Sequence, residues 1–516
     1  MKQYSADVIV VGAGLAGLVT TLELVKQQQR VILIDARPQS DMGGLANWAF
    51  GGMALVGTPE QQSKGIEDSQ ELALSDWLAY ADFSSDQHWP RAWAEYYVEH
   101  CIPEVYEYIR DLKIKFLPAV NWAERTGNTV PRYHILWGCS LRLISQLKRQ
   151  LAQYSHLIDF HFDHRIQSIN CTNGTVVGCA SDTAEFSAPS VVMATGGFGG
   201  SASKVKQHWP AAWSEPKQAI LNGCHPANDG KLAEQATTVG AQLSQMENMW
   251  NYAAGIRHPE QTFADRGLSL IPCRSALWIT PQGERIMPAL MGGNDTVALC
   301  HAINELQVPY SWQILNRDIA LKEFAVSGSE HNVAIRDRRL FRFIRELVFG
   351  NRTLVDQMCA ECEDFVVADS LEELADKMAS QTRDNRLDKT MFSNTVKNFD
   401  ALLQEQPSTD TQIKTLHTIR EYMPDKFRTL KPQSLLAKPP YIAINVRLIS
   451  RKSMGGIMTN LQSQALNAAD EVIPGLYCVG EAAGFGGGGS SGKKSLEGTF
   501  LSGCILTARQ AARSLL

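Results

Sequence analysis

The sequence predicts an α/β fold with a buried parallel sheet, and three observations carry that expectation. The run Val8-Ile-Val-Val11 empties into the turn Gly12-Ala-Gly14-Leu-Ala-Gly17, and a second run, Val31-Ile-Leu-Ile34, ends at Asp35. Two later strand-like runs also finish in glycine turns, one at Thr195-Gly196-Gly197 and one at Gly480-Glu481. Between them, roughly from residue 251 to 432, the chain becomes richer in charge and helix formers, and an apolar strand pattern resumes at Pro439-Pro440-Tyr441. Strands covered on both faces read as continuous apolar runs, so these four runs belong to a parallel sheet and the stretch from about 251 to 432 to an insertion.

The elements follow in order. Leu18, Leu22, Leu24 and Val25 supply a helix between the first two strands. Gly12 permits the tight turn, Gly14 the close approach of a pyrophosphate, and Gly17 the contact between helix and strand. The helix N-terminus then offers partial positive charge to the phosphates, and Asp35 can accept hydrogen bonds from ribose hydroxyls. These features predict dinucleotide binding. The tract Gly43-Gly44-Leu-Ala-Asn-Trp-Ala-Phe-Gly51-Gly52-Met53 adds two glycine pairs, which suggest backbone passing close to a flat or charged ligand. A simple nicotinamide dehydrogenase has no need of it.

Composition narrows the class. A chain of 516 residues is expected to form two or more domains. A net charge of -5 and the lack of a long basic run argue against nucleic acid as the main partner. No signal peptide and no uninterrupted apolar stretch of spanning length are read, and eleven scattered cysteines fit a reduced compartment, so a cytoplasmic location is expected. The single Cys359-Ala-Glu-Cys362 lacks the His of a haem site and the second pair of a zinc site, and no metal is expected.

On these residues the chain resembles the flavoprotein family that holds fumarate reductase and succinate dehydrogenase flavoprotein subunits and 3-ketosteroid dehydrogenases. The likeness is most specific over residues 7–53, 191–200, 228–241 and 452–505. Asn228-Asp229-Gly230 is similar to the family's GDG segment, Met454-Gly455-Gly456-Ile457 to its strand beside the substrate, Gly480-Glu481 to its FAD-binding glutamate segment, and Ser495-Leu496-Glu-Gly498 to the start of its last helix. The resemblance implies a Rossmann-like FAD-binding domain of the glutathione-reductase-like kind, formed by residues 1–250 and 433–516, with an inserted α+β cap over 251–432. If Ser495 caps the last helix, amide groups and dipole there would face the flavin pyrimidine ring. Complex-II members attach their flavin through a His where this chain has Leu45, so FAD is expected to be bound non-covalently.

The resemblance also frames the chemistry. Family members that reduce fumarate use a His where Lys452 stands, and arginines in the last loop and the cap; here the last loop reads Ser490-Ser-Gly-Lys493-Lys494, and Leu321 falls where the cap arginine belongs, with Arg317 and Lys322 nearby. The steroid branch uses a tyrosine near the last domain crossing, about where Tyr441 lies. Pro131-Arg132-Tyr133-His134 offers a second group, His134 being suited to proton transfer near neutrality. Arg257 and His258 form a further polar pair. Trp250, Tyr252, Trp278 and Trp312 are expected around the cleft, where their apolar area favours a bulky hydrophobic substrate over a small dianion. The expectation is therefore an FAD-dependent oxidoreductase acting at a C–C bond next to a ketone, with Tyr441 or His134 managing the proton and Lys452 or Arg451 adding positive charge. A fumarate-reductase-like carboxylate or enoate reductase is the enzyme alternative, favoured if Arg132, Arg257, Arg451 and Lys452 converge over the flavin. An electron-transfer flavoprotein subunit is the alternative from another class. The electron acceptor and oligomeric state stay open.

Overall fold

The computed structural model describes residues 1–516 except Gln406 and Ser495. The four expected apolar runs assemble into one six-stranded sheet, in the order Gln464–Leu466, Val472–Cys478, Ser190–Met193, Val8–Val11, Val31–Ile34, Ile158–His161. Its last five strands are parallel and the first is antiparallel. All four residues of Val8–Val11 and of Val31–Ile34 are buried, which is why these stretches carry no polar alternation. The helix Leu15–Lys26 follows directly from the Gly12 turn and packs against the C-terminal helix Thr499–Ser514. Leu18, Leu22 and Val25 on one helix meet Ile505, Leu506, Ala508 and Ala512 in the same core. At roughly 1.5–3 kcal/mol for each large aliphatic side chain fully buried, this contact ties the two ends of the chain together.

A second, four-stranded sheet (Lys2–Ser5, Ala184–Ser187, Thr175–Ser181, Ile166–Thr172) flanks the first. The inserted region builds its own sheet around the long strand Tyr441–Ser453, which pairs with Ser311–Asn316 and Phe365–Ala368 over its first half and with Met249–Arg257 over its second. The sequence boundary at 250/251 thus falls inside a strand, and the cap sheet takes in chain from both sides of it. Helices cover this sheet: Leu371–Thr382 is capped by Ser370, whose hydroxyl accepts from the Glu373 amide at 3.1 Å, and Lys389–Gln404 by Asp388. The charge run 372–377 lies on an exposed face, with Lys377 and Glu373 2.7 Å apart. Cys359 and Cys362 sit at the end of the helix Arg352–Glu361, and burial pushes the Cys362 thiol up to about 12, which disfavours the thiolate.

Candidate active site

A cleft of about 540 Å³ opens at the C-terminal ends of the parallel strands. At its nucleotide end stand Gly12, Gly14 and Asp35. Gly12 has φ +108°, and a Cβ there would lie 2.3 Å from the Ala194 carbonyl oxygen, so only glycine completes the turn. Gly17 sits against the Gly12 carbonyl and lets the helix approach the strand. A Cβ at Gly14 would instead meet no atom within 4 Å, and the helix N-terminus presents its free amides there. The Asp35 carboxylate accepts from the Ala13 amide at 2.6 Å and the Arg37 amide at 2.8 Å, which fixes it on the cleft wall. Burial nonetheless holds its carboxyl above the ordinary range, against the pull of both amides.

The other glycine segments close around this cleft. Gly44, Gly51 and Gly52 line it from one side, and Thr195, Gly196 and Asp229 from the other. Gly43 donates its amide to the Ala13 carbonyl at 2.8 Å and so docks its loop on the first turn. Asp229 is held by Arg165 at 3.1 Å. Glu481 also lines the cleft; its carboxylate accepts from the Ser453 amide at 3.0 Å, and burial raises its pKa. Gly480 and Leu496 lie behind the wall: Gly480 donates to Thr507 Oγ1 at 2.9 Å, and Leu496 is buried in the core and accepts from the Thr499 hydroxyl at 2.8 Å. The expected cap residue Ser495 lies outside the described residues, and the N-cap position of the last helix belongs to Gly498. The first turns of that helix, through Phe500, Leu501 and Cys504, do form part of the cleft.

At the far end the cleft meets a second chamber of about 150 Å³, and both are lined by Phe50, Tyr133, Tyr252, Ser327 and Glu497. Trp250 Nε1–H donates to the Tyr252 oxygen at 3.0 Å, and the Tyr252 hydroxyl donates to Glu497 Oε2 at 3.1 Å. Burial holds the Tyr252 phenol well above its ordinary pKa, with the Glu497 charge adding to the effect. The Tyr133 phenol is raised for the same two reasons. A Cβ at Gly52 would lie 1.8 Å from the Tyr133 ring, so this glycine exists to seat that tyrosine. Lys452 Nζ lies 4.1 Å from the Phe500 ring centroid, and burial lowers its pKa. Arg451 donates to the Gly223 carbonyl at 2.8 Å and lines the cleft beside it.

A family model described as an FAD binding domain matches residues 7–501. The chain belongs to that family. It is an FAD-dependent oxidoreductase, and the residues present fit the cofactor: a turn open to phosphate at Gly14, a fixed carboxylate at Asp35, and a helix starting at the opposite end of one continuous cleft. This flavoprotein is 35% identical, over 99% of its length and 95% of the relative's, to a KsdD-like steroid dehydrogenase of Mycobacterium tuberculosis. It is 36% identical to a KsdD-like steroid dehydrogenase of Mycolicibacterium smegmatis, over 96% of each chain. Among solved structures, a 3-ketosteroid delta1-dehydrogenase from Sterolibacterium denitrificans shares the fold with a TM-score of 0.73 at 15% identity, each chain covered to 99%. A flavocytochrome c3 fumarate reductase does so with a TM-score of 0.71 at 20% identity, over 99% of this chain and 79% of that one.

Two expected catalytic residues of the flavoprotein lie elsewhere. The Tyr441 hydroxyl donates to the Leu436 carbonyl at 3.0 Å, and its side chain belongs to the cap core. His134 is fully buried: its Nε2 and the Thr58 hydroxyl are 2.7 Å apart, and its Nδ1 and the Arg132 carbonyl oxygen 2.7 Å apart, so neither ring nitrogen is left for substrate. Burial lowers the His134 pKa, so the unfolded chain takes up its proton first on acidification. Stability from the neutral ring is therefore complete above the ordinary histidine value near 6.5 and is lost as pH falls below it. His134→Gln is expected to flatten the acid side of a Tm-against-pH curve; an unchanged slope would refute this account.

Three further cations considered from the sequence, Arg132, Arg257 and Arg317, are held in ion pairs. Arg132 is buried between Asp68 at 2.8 Å and Asp76 at 2.6 Å. Arg257 pairs with Asp364 at 2.6 Å, and Arg317 with Asp356 at 2.5 Å. Trp278 and Trp312 are core residues of the cap, the first bonded to the Ser311 hydroxyl at 2.8 Å. His258, Glu330 and His331 cluster in the cap, but His258 Nδ1 accepts from the Glu260 amide at 2.9 Å, which leaves the proton on the Nε2 facing Glu330. A protonated nitrogen is no metal ligand.

Proposed function

We propose that this flavoprotein oxidises or reduces a C–C bond next to the carbonyl of a bulky apolar ketone, a steroid being the class that its relatives' names suggest. The observation carrying the proposal is the wall of the second chamber. Glu124, Glu323, Asp425 and Glu497 lie around a space also bounded by Phe50, Leu270 and Leu299, with Arg274 and Arg428 as the cations among the described residues. Arg274 is already paired with Asp425 at 2.8 Å. Burial raises the pKa of Glu124 and Glu323 and lowers that of Arg428, so this wall disfavours further charge; a small dicarboxylate would have Arg428 alone to balance its two charges, whereas a neutral ring system gains from the apolar walls. Arg132 and Arg257, which a fumarate site would need, are tied up elsewhere.

FAD, held without a covalent bond because Leu45 offers no nucleophile, supplies the hydride acceptor or donor. Tyr252 would take the proton from the carbon next to the carbonyl and pass its own hydroxyl proton to Glu497, and the reverse on reduction. Tyr133 would donate a hydrogen bond to the carbonyl oxygen where negative charge develops. Lys452 would add positive charge beside the ring system from its place over Phe500. An electron-transfer subunit without a substrate of its own would have no use for the chamber.

Anaerobic bleaching of the purified yellow protein with a panel of ketosteroids is the direct test, with dithionite-reduced protein reoxidised by enones or fumarate in parallel. Flavin reduction by a ketosteroid, or reoxidation by its enone, is expected. Response to fumarate alone would overturn the proposal.

A further inference from the structure

We propose that the helix Leu340–Phe349, together with its neighbour Met423–Arg428, docks this protein on the surface of a membrane that contains anionic phospholipid. The helix Leu340–Phe349 has no buried residue, although seven of its ten residues, Leu340, Phe341, Phe343, Ile344, Leu347, Val348 and Phe349, are large and apolar. Phe341 is 88% and Phe349 77% exposed, and Leu340, Ile344 and Val348 are about half exposed. At 100° per residue these five positions fall on one side of the helix, while the half-buried Phe343 and Leu347 face the protein. Met423 and Phe427 on the adjacent helix are exposed as well. Five apolar side chains on one outward arc exceed the scattered apolar exposure of an ordinary surface.

Charge selects the partner. Residues 336–352 hold six arginines against Asp337 and Glu346, a net +4 in a chain whose total is -5. Asp337 is taken by Arg336 at 2.8 Å and Glu346 by Arg342 at 2.5 Å, and no ion pair is formed by Arg338 or Arg345 among the described residues. Arg142 and Arg338 flank Gly138 from two segments, so like charges gather at this edge. A second copy seated on the same face would bring two such arrays together and be repelled. An anionic lipid surface neutralises them, takes the aromatic rings at the headgroup boundary, and lets arginines lie with their stems in the apolar layer. The helix is convex and offers a protein partner no groove.

The position deepens the proposed function and rests on it for its purpose: Asp425 and Arg428, on the second docking helix, line the second chamber, so the chamber wall would lie next to the phase in which an apolar ketone dissolves. The docking itself is tested without turnover, so the two readings can fail separately. Holoenzyme is sedimented with vesicles of phosphatidylcholine alone and with vesicles that also contain phosphatidylglycerol. Binding to the second kind is expected, weakening in high salt. Arg338→Glu with Arg345→Glu is expected to weaken it roughly thirtyfold or more, and Phe341→Asp with Phe349→Asp at least about tenfold, both with unchanged flavin content and unchanged bleaching by dissolved ketone. No binding to anionic vesicles, or equal binding by both variants, overturns the proposal. A dimer that Phe341→Asp disperses, without vesicle binding, also overturns it and assigns the face to a second copy.

Discussion

Tyr252→Phe is expected to lower kcat by about 10²–10⁴-fold, the range for loss of a positioned proton carrier, while KM for the ketone changes little. The substitution removes one oxygen and leaves the ring in place, so the apolar contacts that hold substrate survive. What disappears is the connection from the chamber to Glu497 Oε2, a single 3.1 Å hydrogen bond. Burial keeps this phenol neutral near neutral pH, so it cannot serve as a free phenolate; it works only by handing its proton on as it receives another. Glu497→Gln, which preserves shape and removes the acceptor, is therefore expected to cost about as much as Tyr252→Phe, and the double variant little more than either alone. Rapid-reaction measurement of flavin reduction separates this step from product release. A Tyr252→Phe protein reducing its flavin within a few-fold of the parent would move the proton route to Tyr133 or Lys452.

Gly12→Ala is expected to yield protein with little or no bound flavin and a markedly lower Tm. Two terms add. An alanine at φ +108° carries backbone strain of roughly 1–3 kcal/mol. Its Cβ would also lie 2.3 Å from the Ala194 carbonyl oxygen, just past the end of the parallel strand Ser190–Met193, and overfilling such a site costs about 1–3 kcal/mol more. Relief requires the turn at residue 12 to move away from Ala194, which displaces the start of the helix Leu15–Lys26 and dismantles the phosphate turn. The flavin-to-protein ratio after gel filtration reads the effect; a stoichiometric ratio would show that the turn tolerates the methyl group.

The nucleotide half of this site was legible because its signal is local. Gly12, Gly14, Gly17 and Asp35 lie within one strand–turn–helix–strand unit, and their spacing alone defines the geometry. The proposed substrate half was not, because it is assembled from four distant places: Phe50, Tyr133, Tyr252 and Glu497. His134 draws attention in the sequence by its chemistry, but it and Tyr133 are neighbours on the strand Tyr133–Ile135. Successive strand side chains point to opposite faces, so His134 and Tyr133 cannot both face the cleft. The requirement at Gly52, whose Cβ position the Tyr133 ring fills, could not be read without that pairing. Tyr441 was misplaced for a different reason. It and Lys452 lie at opposite ends of Tyr441–Ser453, and eleven residues of extended chain span roughly 36 Å.

That same strand limits how the enzyme can open. A flexible linker between two domains permits a swinging gate, but here the junction is one unbroken length of β-structure, laddered to Ser311–Asn316 at one end and to Met249–Arg257 at the other. All three strands belong to one sheet, so the cap keeps these backbone hydrogen bonds when it moves as a unit, and a hinge has to lie in chain outside that sheet. One contact that such a movement would release is at the rim, where the Trp48 carbonyl accepts the Ser329 amide at 2.7 Å.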